Sequence, residues 1–137
     1  MKRFGVIGHP IAHSLSPLLH NTAFSLLGLD CSYEAFDVEP SALGTSILKF
    51  KDQGFYGLNV TIPHKEAVVE FVDAQSDESK AVGAVNTVIF DGERIHGENT
   101  DVYGVAASLE SFRSQIQDQL AIVIGAGGSA RAIVYAH

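Results

Sequence analysis

Asn59-Val60-Thr61-Ile62-Pro63-His64-Lys65 is the segment of this 137-residue chain whose residue types and spacing most readily do chemistry. Alternate residues of a strand share a face, so Asn59 and Thr61 point one way while Val60 and Ile62 point the other. Pro63 bends the chain there, and Lys65 is expected to start the following helix near the same mouth. Two polar groups and a cation converging on a strand end make a site for a polar ligand. A lysine at a helix N-terminus is electrostatically misplaced, which argues against a purely solvated role. A second polar cluster follows in Gly83-Ala84-Val85-Asn86-Thr87 and in Asn99-Thr100-Asp101. An asparagine inside an apolar strand must find hydrogen-bond partners, in the protein or in a ligand. Asp101 reads two ways. It is either the N-cap of the next helix or the group that holds and charge-balances Lys65 as a proton-transferring amine.

Two further segments suit anions. In Ser14-Leu15-Ser16-Pro17, both hydroxyls can face the same way from an extended stretch beside a helix start, as a carboxylate would require. The alternative is that Ser16 merely caps the helix that Pro17 opens. Gly125-Ala126-Gly127-Gly128-Ser129-Ala130 follows the apolar run Leu120–Ile124 and opens a helix. That is the setting of a dinucleotide-binding turn. Gly125 would permit the tight turn, Gly127 the approach of a pyrophosphate, and Ala130 the close helix–strand contact. The helix start would supply free amides and partial positive charge. A merely tight βα turn is the alternative. The residue that selects NAD or NADP would lie about 20 positions beyond the glycines, past His137.

These residues need elements to hold them. Strands are expected at Arg3–Gly8, Ser32–Val38 and Gly57–Thr61. Helices are expected at Pro17–Leu27, stopped by Gly28, at about Ala42–Asp52, and from Pro63 to about Phe71. Ser76 can cap a short helix ending at Gly83, and Ala84–Phe90 with Arg94–Glu98 flank a hairpin turn at Asp91-Gly92-Glu93. Asp101–Phe112 reads as a helix, Arg113–Gln119 as a polar stretch and Leu120–Gly125 as a new strand. Leu18, Leu19, Phe24 and Leu27 are expected to form a core face, with Tyr33 and Phe36 also inside. The alternation predicts an α/β fold, a mixed and mainly parallel sheet flanked by helices with the hairpin as an antiparallel edge. After it comes the first βα of a Rossmann-like domain. The expected division is a binding domain over 1–103, then a linker helix and the truncated start of a dinucleotide-binding domain over 104–137. A lone βα unit has no sheet to join, so the chain reads as a piece of a longer protein.

Composition narrows the function classes. Apolar residues are 46% and charged residues 18% of the chain, which excludes a disordered polymer. Nine cations against 16 anions give a net charge of −7, and the cations are scattered, so nucleic acid is not an expected partner. Any anion site must therefore be built locally. The single cysteine, Cys31, reads as a small apolar filler and fits a reducing compartment. There is no apolar run of about 18 residues and no signal-peptide core, so a cytoplasmic protein without membrane partners is expected. His9 and His13 are four apart but Pro10 between them breaks a helical metal pair, and no metal is expected. His64 reads as pocket lining, packing or a hinge contact, and Lys80 and Arg94 as solvated charge.

The runs Gly8–Pro17, Asn59–Lys65, Gly83–Thr87 and Asn99–Asp101, with the glycine turn, together resemble shikimate dehydrogenases in order and spacing. The resemblance covers essentially the whole chain and about the first half of a family member. It implies that Ser14 and Ser16 bind the shikimate carboxylate. Thr61, Asn86 and Asp101 would hold ring hydroxyls, with Asn59 nearby. Lys65 would be the catalytic acid/base, paired with Asp101. Asp77 matches a family position that contacts the cofactor, NADP, alongside Gly125, Ala126, Gly127, Gly128, Ser129 and Ala130. The implied activity is reversible reduction of 3-dehydroshikimate to shikimate with NADPH, in aromatic amino-acid biosynthesis. The family usually continues Asn-Thr-Asp with glycine, whereas Val102-Tyr103-Gly104 follows here, so the hinge is expected to differ locally. Quinate as substrate and a non-catalytic acid-binding module are the competing readings. The 1–137 chain alone is expected to bind weakly and not turn over, and a homodimer is compatible with the reading.

Overall fold

The computed structural model describes residues 1–136. The strands are β1 (Lys2–Gly8), β2 (Cys31–Asp37), β3 (Gly57–Val60), β4 (Ala74–Gln75), β5 (Thr87–Asp91) and β6 (Arg94–Glu98). They form one sheet in the order β2-β1-β3-β5-β6-β4. β1 runs parallel to β2 and β3, β5 is antiparallel to β3 and β6, and β4 is parallel to β6. Only β5 is therefore reversed. The hairpin expected at an antiparallel edge lies inside the sheet, because the two-residue β4 pairs outside β6. So short a strand leaves no period-2 pattern to read in the sequence.

One face of the sheet is closed by α2 (Leu43–Asp52), whose Leu43, Ile47 and Phe50 recur at helical spacing and are buried. They meet Ile7, Leu58, Val60, Val68, Val85 and Val88 in the main core. Phe36, Phe50 and Phe55 pack together there with centroids 4.7–5.5 Å apart. Each such side chain removed from water contributes about 1.5–3 kcal/mol. On the other face α1 (Ser16–Leu26) covers only β1 and β2 and has no buried residue. The expected leucine face is wrong: Leu18, Leu19 and Leu27 are 69%, 65% and 72% exposed. Polar and aromatic contacts seat this helix instead. Asn21 clamps the Tyr33 backbone through both its amide atoms, at 2.8 and 2.9 Å. The His20 ring stacks on Tyr33 at 4.2 Å, and Phe24 meets Phe4 at 6.0 Å.

The helix expected from Pro63 is a turn followed by a 3-10 segment, Ala67–Phe71. The Lys65 carbonyl accepts the Val85 amide at 2.7 Å, so it is not free for the helical bond from Val69. α3 (Asp77–Val82) follows the expectation: the Ser76 hydroxyl accepts the Ser79 amide at 3.1 Å, and Gly83 ends the helix at φ +67°. The first strand of the hairpin begins late, so Ala84, Val85 and Asn86 precede β5 rather than lying in it.

α4 (Asp101–Leu109) gives way to a 3-10 turn at Glu110–Phe112, inside the span expected as one helix, and the single-turn α5 (Arg113–Ile116) begins the polar stretch. Leu120–Gly125, expected as a strand, carries no ladder, and Leu120, Ile122 and Ile124 are 92%, 81% and 96% exposed. An extended apolar run becomes a strand only beside a pairing partner, and none faces it among the described residues. α6 (Gly128–Ala136) nonetheless packs against the first unit, with Ala132 buried on Val82, Ala84 and Val102.

Candidate active site

The neighbouring parallel strands β1 and β3 release their chains at the same end of the sheet. The loops stay together because the His9 amide donates to the Ile62 carbonyl at 3.0 Å and the Thr61 amide to the Ile7 carbonyl at 3.0 Å. Gly8 permits this closeness, since an added Cβ would lie 2.6 Å from Thr61 Cγ2. Ser14, Ser16, Thr61 and Lys65 all follow these two strands. Ser14 Oγ accepts the Ser16 amide at 3.3 Å. Ser16 is thus the first helical residue and not the cap of α1, which corrects the capping alternative. The hydroxyl nearer the strand serves the helix end, and the Ser16 hydroxyl stands beside it.

Lys65 lies in the turn before the 3-10 segment, not at a helix start. Its Nζ is 2.6 Å from Asp101 Oδ2, with the two side chains 18% and 28% exposed. Asp101 opens α4, where the helix start favours a negative charge. The N-cap position is Thr100, which makes no side-chain cap bond; Asn99 before it accepts the Asp101 amide through Oδ1 at 3.1 Å, while its Nδ2 donates to the Ala84 carbonyl at 2.9 Å. The reading of Asp101 as a lone N-cap is therefore set aside in favour of the pair with Lys65. Burial and complete satisfaction make Asn99 a bracket for the pair, a role that the sequence reading did not give it.

Asn86 reaches the same carboxylate. Its Nδ2 donates to Asp101 Oδ1 at 2.9 Å and to Thr100 Oγ1 at 2.9 Å, while its Oδ1 accepts the Thr100 amide at 2.9 Å and the Thr87 hydroxyl at 3.0 Å. Asn59 is drawn into the protein as well. Its Oδ1 accepts the Tyr33 hydroxyl at 2.6 Å and its Nδ2 donates to Thr87 Oγ1 at 3.2 Å. Burial pushes the Tyr33 hydroxyl up to about 12, so it remains a donor at neutral pH. His64 is buried with Nε2 2.6 Å from the Val38 carbonyl, which makes it a packing residue and not a pocket wall.

The glycine turn comes to the same place. Gly125 has φ +134°, a conformation open to glycine. Gly128 lies so near the first unit that an added Cβ would be 2.8 Å from Ala84 Cβ and 3.7 Å from Lys65 Cβ. Gly127 faces open space, with only Glu66 Oε1 within reach, at 3.9 Å. Lys65 Nζ also donates to Ser129 Oγ at 3.4 Å, and Arg131 of α6 pairs with Glu66. Pro63, Lys65, Gly125, Gly127, Ser129 and Ala130 line a cleft of about 380 Å³. Asp77 is not among the residues lining this cleft: its side chain is 95% exposed and pairs with Lys80 at 3.6 Å.

A lysine–carboxylate pair with a hydroxyl pair on one side and a glycine turn on the other can protonate or deprotonate an oxygen of an acid-bearing ligand. Residues 6–88 match the family profile described as the shikimate dehydrogenase substrate binding domain. A shikimate dehydrogenase (NADP(+)) of Caldanaerobacter subterraneus subsp. tengcongensis is 44% identical over 135 residues, covering 98% of this chain and 48% of that protein. One from Symbiobacterium thermophilum is 47% identical over 129 residues, covering 94% of this chain and 44% of its own. Among solved structures, the Thermus thermophilus shikimate 5-dehydrogenase in complex with shikimate is 43% identical with a TM-score of 0.90, over 99% of this chain and 52% of that one. Shikimate dehydrogenase 1 of Peptoclostridium difficile is 31% identical with a TM-score of 0.94, over 99% and 50%. The chain spans about half the length of the curated relatives it matches.

Proposed function

The chain belongs to the shikimate dehydrogenase family, and from that premise we propose that it supplies the substrate half, and the start of the cofactor half, of an NADP-dependent reductase. The reaction is the interconversion of 3-dehydroshikimate and shikimate, a step of aromatic amino-acid biosynthesis in the cytoplasm. Residues 1–103 serve the substrate and residues 104–137 begin the cofactor domain. The observation that carries the reading is the Lys65–Asp101 pair at 2.6 Å, set between the Ser14/Ser16 loop and the glycine turn.

Ser14 and Ser16 bind the substrate carboxylate beside the start of α1, where hydroxyl donors and the helix dipole favour an anion. Thr61, Asn86 and Asp101 face the ring hydroxyls. Lys65 gives its proton to the carbonyl oxygen in reduction and takes it back in oxidation, while Asp101 balances its charge and fixes its position. The glycine turn fits a dinucleotide phosphate: Gly127 leaves open space, and the nine-residue α6 begins at Gly128 with free amides. NADPH held there would supply the hydride. Asp77 is a cofactor contact only from its exposed side.

Shikimate-dependent reduction of NADP by the complete gene product tests the reading, with quinate as the control acid. Turnover with shikimate should fall by at least about a thousandfold in Lys65→Ala, given what a positioned acid/base contributes. Absence of turnover in a folded parent protein overturns it.

A further inference from the structure

The hydrogen bonds behind Asp101 form one line with a fixed direction. The Thr100 amide can only donate, so the atom it meets at 2.9 Å is Asn86 Oδ1. That oxygen can only accept, so the Thr87 hydroxyl, 3.0 Å away, spends its single hydrogen there. Thr87 Oγ1 must then accept from Asn59, which turns Nδ2 toward Thr87 and Oδ1 toward Tyr33. Tyr33 is left as the donor. One backbone amide thus orients four side chains, and the line runs Tyr33, Asn59, Thr87, Asn86, Asp101, where it meets the lysine. Both asparagines accept at oxygen and donate from nitrogen across a conjugated amide. Each bond therefore strengthens the next.

Tyr33 has a second set of ties. Asn21 holds its backbone and His20 stacks on its ring, and both belong to α1, which begins at Ser16. The residue is 4% exposed. We propose that Tyr33 is a positioning residue that joins the two ends of the substrate site, orienting Asp101 and Lys65 through Asn59, Thr87 and Asn86, and the serine loop through α1. Asn59 belongs to this line through its Oδ1 and one hydrogen of its Nδ2. The proposal rests on the reading of Lys65 and Asp101 as the reacting pair, but its structural arm does not need turnover.

Tyr33→Phe removes only the donor at the far end, and Thr87→Val breaks the line in the middle. In NMR spectra of the 137-residue chain, each should move the Asn86 side-chain NH₂ protons upfield, and the double variant should move them no further than Thr87→Val alone. Unchanged Asn86 resonances in folded Tyr33→Phe, or shifts that add in the double variant, overturn the proposal. In the complete gene product, Tyr33→Phe should lower kcat about threefold with KM for shikimate unchanged. Asn21→Ala should raise KM with kcat kept, because it loosens the serine helix. A Tyr33→Phe variant that changes KM alone counts against the line. If the parent shows no turnover with shikimate, the functional reading fails, and the NMR arm still decides the network.

Discussion

At the scale of single residues, Asn59, Asn86, Asn99 and Asp101 are bound within the protein through their polar atoms, which makes the members of the site unequal under mutation. Asn99 is 5% exposed and holds both the Ala84 carbonyl and the Asp101 amide. Asn99→Ala should cost about 1–3 kcal/mol by leaving those groups unpaired, read from urea unfolding midpoints. Tyr33 makes a different prediction. Its ordinary value of 10.0 is raised to about 12 by burial, so the folded protein keeps a proton that the unfolded chain loses. Stability from this group is complete below pH 10 and is lost as pH rises towards 12. Ultraviolet titration should find one of the four tyrosines ionising last, and Tyr33→Phe should remove that late step. Lys65, Asp101 and Asn86 were legible in the sequence because their types are costly where the pattern puts them. Tyr33 was not, because a tyrosine in an alternating strand reads as core, and its partner Asn59 lies 26 residues on.

At the scale of elements, strands and helices with their own punctuation were legible: α2 from Pro40 and Ser41 before it, α3 from Ser76 and Gly83, β6 from the turn before it. Elements whose state depends on a distant partner were not. The Pro63 segment carries helical residues, yet Val85 takes the Lys65 carbonyl, and β4 exists only because β6 pairs with Ala74 and Gln75. The leucines of α1 were misplaced for the same reason, since periodicity shows that a face is apolar but not what covers it. Two close approaches between elements carry predictions. Gly8→Ala would put a Cβ 2.6 Å from Thr61 Cγ2 and 3.0 Å from the Ile62 carbonyl oxygen. Separating the loops should cost about 1–3 kcal/mol in unfolding free energy and raise KM for shikimate in the gene product. Gly128→Ala, pressed on Ala84, should displace the glycine turn from Lys65, and chemical shifts of residues 127–131 should report it.

At the scale of the whole molecule, α6 packs on α3 and α4 through a small apolar cluster separate from the main core, while the segment between α5 and α6 carries no ladder. Amides of Val6, Ile7 and Asn59 sit in ladders that pair β1 with β2 and β3, whereas those of residues 120–124 have no ladder. Hydrogen exchange should therefore be slow in β1 and β3 and unprotected across 120–124. Rapid exchange in β1 would contradict the packing described for the core. The exposed run also has a colloidal consequence. Leu120-Ala121-Ile122-Val123-Ile124 contains no charge and no proline, so it has the character of a segment that stacks in register with copies of itself. Asp118 is the nearest charged residue before it, and Arg131 the nearest after it. Two molecules meeting along this run would find unpaired amides and carbonyls on both sides. In the 137-residue chain this run favours self-association, against which the net charge of −7 acts by repulsion. Ile122→Lys should raise the concentration at which light scattering appears while leaving the fold of the sheet unchanged.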